Sequence, residues 1–149
     1  METKERKTYA FLLSAAALDD FLAAWEAGTL PRSQWIHAAH VAVAACYAFD
    51  LTPADALLRT RRGIIHFNNC VGTPNTDTRG YHETLTRLWS GIIGNFVRRG
   101  DFPSRFAAAS AAVERYGEDR GRHRLHYSFD VVNSVNARRN WVPPDRSPL

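Results

Sequence analysis

Three histidines carry the chemical promise of this sequence: His37 and His40 in WIHAAH, and His82 in GYHET. His37 and His40 stand three residues apart, so on a helix they project from neighbouring points of one face, with Cβ atoms about 5–6 Å apart. Metal–nitrogen bonds are about 2.0–2.1 Å long, and two imidazoles so placed can converge on one ion. The pair alone is a weak signal, because histidines at that spacing also serve as surface or hydrogen-bonded residues. Its weight comes from His40, which falls on an apolar stripe with Ile36, Val43 and Tyr47 among small alanines. A buried imidazole needs a partner. That partner is either a metal ion or a tyrosine or backbone carbonyl of another helix.

His82 follows a loop and opens the next helix, where a ligand can face both protein and incoming substrate. Glu83 sits beside it. Adjacent helical positions are about 100° apart, so both residues reach one ion only if the first turn is irregular. Otherwise Glu83 is a general base or an acceptor that orients a ligand histidine, or an acid placed at a helix N-terminus by the dipole. The Tyr81 hydroxyl is a group to hold a metal-bound water or donate a proton, the plainer alternative being an amphipathic packing residue. The expected set is therefore His37, His40 and His82 as metal ligands with Glu83 and Tyr81 as catalytic groups. The ion is one divalent iron, copper or zinc, which imidazole ligands do not distinguish. His123 and His126 repeat the spacing, but Arg120, Arg122 and Arg124 surround them, and nearby cations oppose a dication. His66, with Asn69 three residues on, reads as the polar face of a helix, the alternative being a further ligand.

The elements that position these groups are helical. Leu18, Phe21, Leu22 and Trp25 recur at helical intervals over 18–30 and meet a stop at Gly28. A second helix is predicted after Pro31, with Ser33 as its cap, through about Phe49. Thr52, Pro53 and Asp55 form a cap, a first-turn proline and a first-turn acid, opening a third helix that carries Leu57, Leu58, Ile64, Ile65 and Phe67 to about Gly72. VGTPNTDTRG, 71–80, is a loop of the kind that carries function. Asn75 and Thr76 within it suit a helix cap or a substrate contact. From Tyr81 the apolar pattern returns as a fourth helix to about Gly100, with Thr84 and Thr86 as cap and packing groups, and a fifth runs from about Ser104 to Tyr116. One or two short helices follow, and WVPPDRSPL ends as an extended tail because its prolines cannot continue a helix. No strand is convincing. The prediction is an all-α single-domain bundle of about five main helices over 1–149, with 1–8 and 143–149 as mobile ends.

Composition excludes several classes. The 149 residues, 45% hydrophobic and 23% charged, are those of one ordinary globular domain. No apolar run approaches the roughly 18 uncharged residues of a membrane span. The start, METKERKTYAFLLSAAALDD, reads as the lead into the first helix rather than a targeting segment. Cys46 and Cys70 lie in helical patterns, without finger-like spacing, as reduced thiols of a cytoplasmic protein would. The net charge of +4 comes from 19 basic residues, all arginine apart from Lys4 and Lys7. They are scattered rather than gathered on one face, which argues against nucleic acid as a partner.

Four blocks, WIHAAHVAVA at 35–44, NNCVGTPNT at 68–76, GYHETLTRLW at 80–89 and ARRNWVPPD at 137–145, together resemble a family of small uncharacterised bacterial helical proteins. The resemblance covers most of the chain and implies that the blocks belong together, but it brings no reaction. The function expected from the residues is a metal-dependent enzyme acting on a small molecule. Non-haem iron or copper redox chemistry is preferred because helical bundles commonly build such sites from facing helices, an analogy at the level of fold. A zinc-type hydrolase or lyase, with Glu83 as base, and a non-catalytic binding or regulatory protein are the alternatives.

Overall fold

The computed structural model describes residues 5–149, and among them every regular element is helical. Six α-helices run in order as α1 (Ala15–Ala27), α2 (His37–Asp50), α3 (Pro53–Val71), α4 (Glu83–Arg99), α5 (Arg105–Tyr116) and α6 (Val135–Arg139). Short 3-10 turns lie at Ala10–Leu12, Arg32–Gln34 and Arg122–Leu125. The chain is thus the all-α bundle that its periodicity predicts. No helix of the described residues is long and apolar enough to cross a membrane.

Local chemistry sets most helix ends. The Ser14, Thr52 and Ser104 hydroxyls each accept a hydrogen bond from the backbone N–H three residues on, satisfying a donor that the first turn of a helix leaves open. Pro53 occupies the first turn of α3, where its missing N–H costs nothing. The start of α2 differs from expectation. Ser33 is drawn into the 3-10 turn Arg32–Gln34, and α2 begins at His37 behind Ile36, with no side-chain cap. Ile36 is accordingly not part of the buried stripe; it is 41% exposed, and Leu58 on α3 is likewise at the surface.

Helix α2 is the axis of the bundle. It packs against α3, α4 and α5, and Ala38, Ala39, Ala42, Ala44, Ala45 and Ala48 are all buried. Small side chains let three neighbours approach one helix, which a leucine-rich surface would keep at a distance. The large groups that fill the core come from the partners: Leu18 and Trp25 of α1, Phe67 of α3, Leu88 and Ile93 of α4. Trp25 needs a gap in α3 to fit, and Gly63 supplies it. A Cβ at that position would lie 2.2 Å from the indole ring.

The C-terminal segment is bound to the bundle as a strap. The Thr84 hydroxyl, fully buried in α4, donates to the Asn140 carbonyl at 2.6 Å and accepts the Val142 N–H at 3.0 Å. The Tyr127 hydroxyl donates to the Val142 carbonyl at 2.6 Å, and Ser128 N–H bonds Asp145 at 2.9 Å. Residues 143–149, expected as a mobile end, thus include three that bond the domain, since His126 Nδ1 also donates to the Ser147 carbonyl at 2.7 Å and Arg146 N–H to the His126 carbonyl at 3.0 Å. At the other end Arg6 pairs with Glu114, and Lys7 with Glu118 at 3.3 Å.

Gly63→Ala forces overpacking against a closed ring. It should lower the unfolding free energy by about 1–3 kcal/mol, read as an earlier urea midpoint with an unchanged slope.

Candidate functional site

The feature that gathers most of the expected site residues is a cavity of about 700 Å³ between α2, α3 and α4, lined also by the turn that follows α5. His37, His40, His82, Tyr81 and His123 all line it, and Glu83 does not. The sequence therefore brings four of its five expected site residues to one space. What each side chain is free to do there differs.

His40 is the least committed. Its ring lies flat on Trp35, centroids 3.7 Å apart, and among the described residues neither ring nitrogen has a hydrogen-bond partner. Burial and the neighbouring His37 push its pKa down to about 3. At neutral pH it is a neutral imidazole, offering one N–H and one lone pair to the cavity.

His37 is half committed. Its Nε2 lies 3.1 Å from the Tyr116 carbonyl, which can only accept, so Nε2 carries the proton and Nδ1 the lone pair. Its ring meets Trp89 edge-on at 4.8 Å. Burial lowers its pKa against the opposing pull of that carbonyl, with Arg120 adding to the decrease.

His82 is fully committed. It is the N-cap of α4, its Nδ1 accepting the Leu85 N–H at 3.1 Å, while Nε2 donates to the Val131 carbonyl at 2.9 Å. The two bonds fix the tautomer and use both nitrogens. Burial lowers the pKa here too, opposed by Val131. For His82 to ligate a metal it would have to give up a helix cap or its bond to Val131. Among the described residues no group of three or more histidine, cysteine, aspartate or glutamate side chains is placed to hold a metal ion.

Glu83 belongs to a tether outside the cavity lining, and Tyr81, which lines the cavity, bonds into that tether. Arg61 of α3 donates through Nε to both Glu83 oxygens, at 3.1 and 3.0 Å, and again through Nη2. The Tyr81 hydroxyl donates to Glu83 at 2.7 Å. Burial alone would raise the Glu83 pKa, but the bonds from Arg61 and Tyr81 outweigh it and hold the carboxyl below its ordinary range. Burial and the adjoining carboxylate push the Tyr81 hydroxyl well above its ordinary value. A carboxylate so engaged is a joint between α3 and α4.

The segment before α4 is held from both sides. Gly80 adopts φ +78°, a left-handed conformation in which a Cβ would strike the Pro74 carbonyl. Asn75 accepts the Tyr81 N–H and the Asn68 amide, both at 2.9 Å, so it orders the loop as a cap would rather than facing a substrate. Arg138 of α6 donates to the Gly80 carbonyl at 2.8 Å. The segment before α4 is thus held by Asn75 of the preceding loop and by Arg138 of α6, and Asn68, Gly80, Tyr81 and His82 line the cavity with His37 and His40. No protein-family model, curated protein or solved structure matches the chain. What the site does is read from its own residues.

Several lining groups escape a search for metal ligands. Trp35, which stacks on both Trp25 and His40, and Trp89 also line the cavity, with Thr60 and Asn68 as polar groups of α3 and the exposed Arg120. Ser90 of α4 also lines it, with a buried hydroxyl that has no partner among the described residues. The remaining histidines have other roles. His126 is buried under the C-terminal strap, and His66 lies 3.6 Å from the exposed Cys70 thiol.

Two outcomes follow. Between pH 6.5 and about 3 a proton binds His40 in the unfolded chain but not in the folded one. Stability contributed by His40 is therefore complete above pH 6.5 and is lost on acidification, by up to about 1.4 kcal/mol per pH unit. His37 and His82 act in the same direction. Urea unfolding at pH 7.5, 6 and 5 should show a smaller acid loss for His40→Asn than for the native chain, and the His40 ring should not titrate by NMR above pH 5. Glu83→Gln, which removes the charge from the Arg61 joint, should cost about 1–3 kcal/mol in the same assay with the helical circular dichroism unchanged.

Proposed function

We propose that the protein is an enzyme for a small organic molecule, which it binds in the cavity between α2, α3 and α4, with His40 holding the reacting group. The carrying observation is the His40 imidazole: packed on Trp35, neutral, lining the cavity and without a partner among the described residues. His40 is half-buried and its ring nitrogens are open to the cavity, so its N–H and lone pair are free to bond a molecule that enters. A neutral imidazole is suited to donating its N–H to a carbonyl oxygen and stabilising charge that develops there, because it does not begin as a cation. Trp89 and the apolar side chains of Val41, Ile64, Leu85 and Ile93 line the same cavity and suit rings and branched chains.

A metal-dependent form of this function is the second reading, and the His37–His40 pair favours it. Both rings are held in the deprotonated state that a transition metal requires, and the His37 lone pair is on Nδ1. Iron, copper or zinc bound by this pair would act as a Lewis acid or redox centre on the bound molecule. His82 stays outside this pair, because its two nitrogens serve α4 and Val131. The family suggested by the four sequence blocks adds no choice of reaction.

Titration with a panel of aromatic aldehydes, ketones and alcohols, followed by tryptophan fluorescence, tests the first reading. Binding should quench Trp35 and Trp89, and His40→Asn should weaken it ten-fold or more. Equal affinity in the native and His40→Asn proteins would remove His40 from the function. For the metal form, the native protein should take up one equivalent of Co²⁺ with a visible absorption band that His37→Asn and His40→Asn each abolish and His82→Asn leaves. Uptake unchanged in the His37→Asn, His40→Asn double variant excludes this pair.

A further inference from the structure

The opening of the cavity has an uneven distribution of charge. The turn after α5 brings Glu118, Asp119 and Arg120 together, and all three lie close enough to His37 to affect its ionisation. Both acids are engaged. Glu118 pairs with Lys7 at 3.3 Å and accepts the Tyr9 hydroxyl, and Asp119 pairs with Arg122 at 3.3 Å. Arg120, which lines the cavity, has no hydrogen-bond, ion-pair or ring partner among the described residues. Glu118 is also the one carboxylate among the lining residues. A guanidinium beside His37, at the end of a cavity whose single acid is already paired, is an open site for an anion.

Deeper in, the rings are ordered along α2. Trp35 stacks on His40, and Trp89 meets His37 edge-on. The two histidines therefore lie between two indoles. The buried Ser90 hydroxyl, next to Trp89 in sequence, is a second polar group in the lining with no partner. A molecule matching these surfaces has an apolar ring or branched chain, a hydrogen-bonding group near it and a negative charge at one end.

Resting on the cavity-binding function above, we infer that the protein selects small organic acids, whose apolar body lies beside His40 and Trp89 and whose carboxylate pairs with Arg120. A cationic ligand would instead meet Arg120 and Lys7 without a free acid to offset them. A neutral one would leave the guanidinium unused.

The probes are phenylacetate and indole-3-acetate, their neutral amides, and indole, titrated at low salt and pH 7.5 with tryptophan fluorescence and thermal shift as readouts. Each acid should bind at least ten-fold more tightly than its amide, and Arg120→Gln should bring the acid down to the amide. Arg120 is exposed, so this variant should fold as the native chain does. Arg99→Gln, another exposed arginine outside the cavity, should keep the preference. Equal binding of acid and amide overturns the inference, as does a preference that survives Arg120→Gln or disappears with Arg99→Gln. Indole binding that depends on His40 would then leave the cavity function standing. Failure of acids, amides and indole alike removes both.

Discussion

Everything in this molecule depends on the close approach that α2 permits. Its alanines let α3, α4 and α5 pack against one central helix, and the chain buries its large groups from outside inward, with Trp25 and Phe67 reaching toward an axis that has little bulk of its own. Such an axis can carry two imidazoles at its N-terminal end without distorting the packing further along. The cavity lies where the alanine face meets those imidazoles. Helix packing and the site are consequences of the same stretch, HAAHVAVAACYA.

The histidines show how one residue type divides its labour. Each ring has two nitrogens, and the neighbours decide how many remain for chemistry. His82 gives both to backbone groups and so fixes the start of α4 and its register against Val131. His37 gives one, to Tyr116. His40 gives none to the described residues and pairs its face with Trp35 instead. Proximity to a common cavity is therefore a poor guide to function compared with the count of unused lone pairs and protons.

Much of the fold was legible because its signals are local. Thr52-Pro53 and Ser104 mark helix starts through bonds made within one turn, and the apolar spacing of Leu88, Ile92 and Ile93 defines the buried face of α4 from residues a few positions apart. Ser33 was misleading for the same reason: it has the right side chain for a cap, but the chain spends it in a 3-10 turn and enters α2 at His37. The site was only partly legible. That His37 and His40 share a space follows from helix spacing, and the place of Tyr81 and His82 at the start of the apolar α4 put them within reach of it. The hydrogen-bond partners of His37, His82 and Glu83, namely Tyr116, Val131 and Arg61, are 79, 49 and 22 residues distant in the chain, and no local pattern encodes such pairings. The role of Glu83 turned on Arg61 in this way. Arg120, one arginine among many in sequence, gained significance from its place beside the cavity and from its neighbours' existing pairings.

The 49 residues between His82 and its Val131 acceptor also impose an order in time. At synthesis rates of about 5–20 residues per second, His82 leaves the ribosome some 2–10 s before the carbonyl that holds it, and the first histidines and the loop leave earlier still. The same delay applies to Arg138, which clamps Gly80, and to the Asn140 and Val142 backbone that closes over Thr84. The nascent bundle can collapse around α2 early, but its cavity takes final shape only when the last fifth of the described chain wraps back. A ribosome-bound intermediate would have the helices and not yet the site.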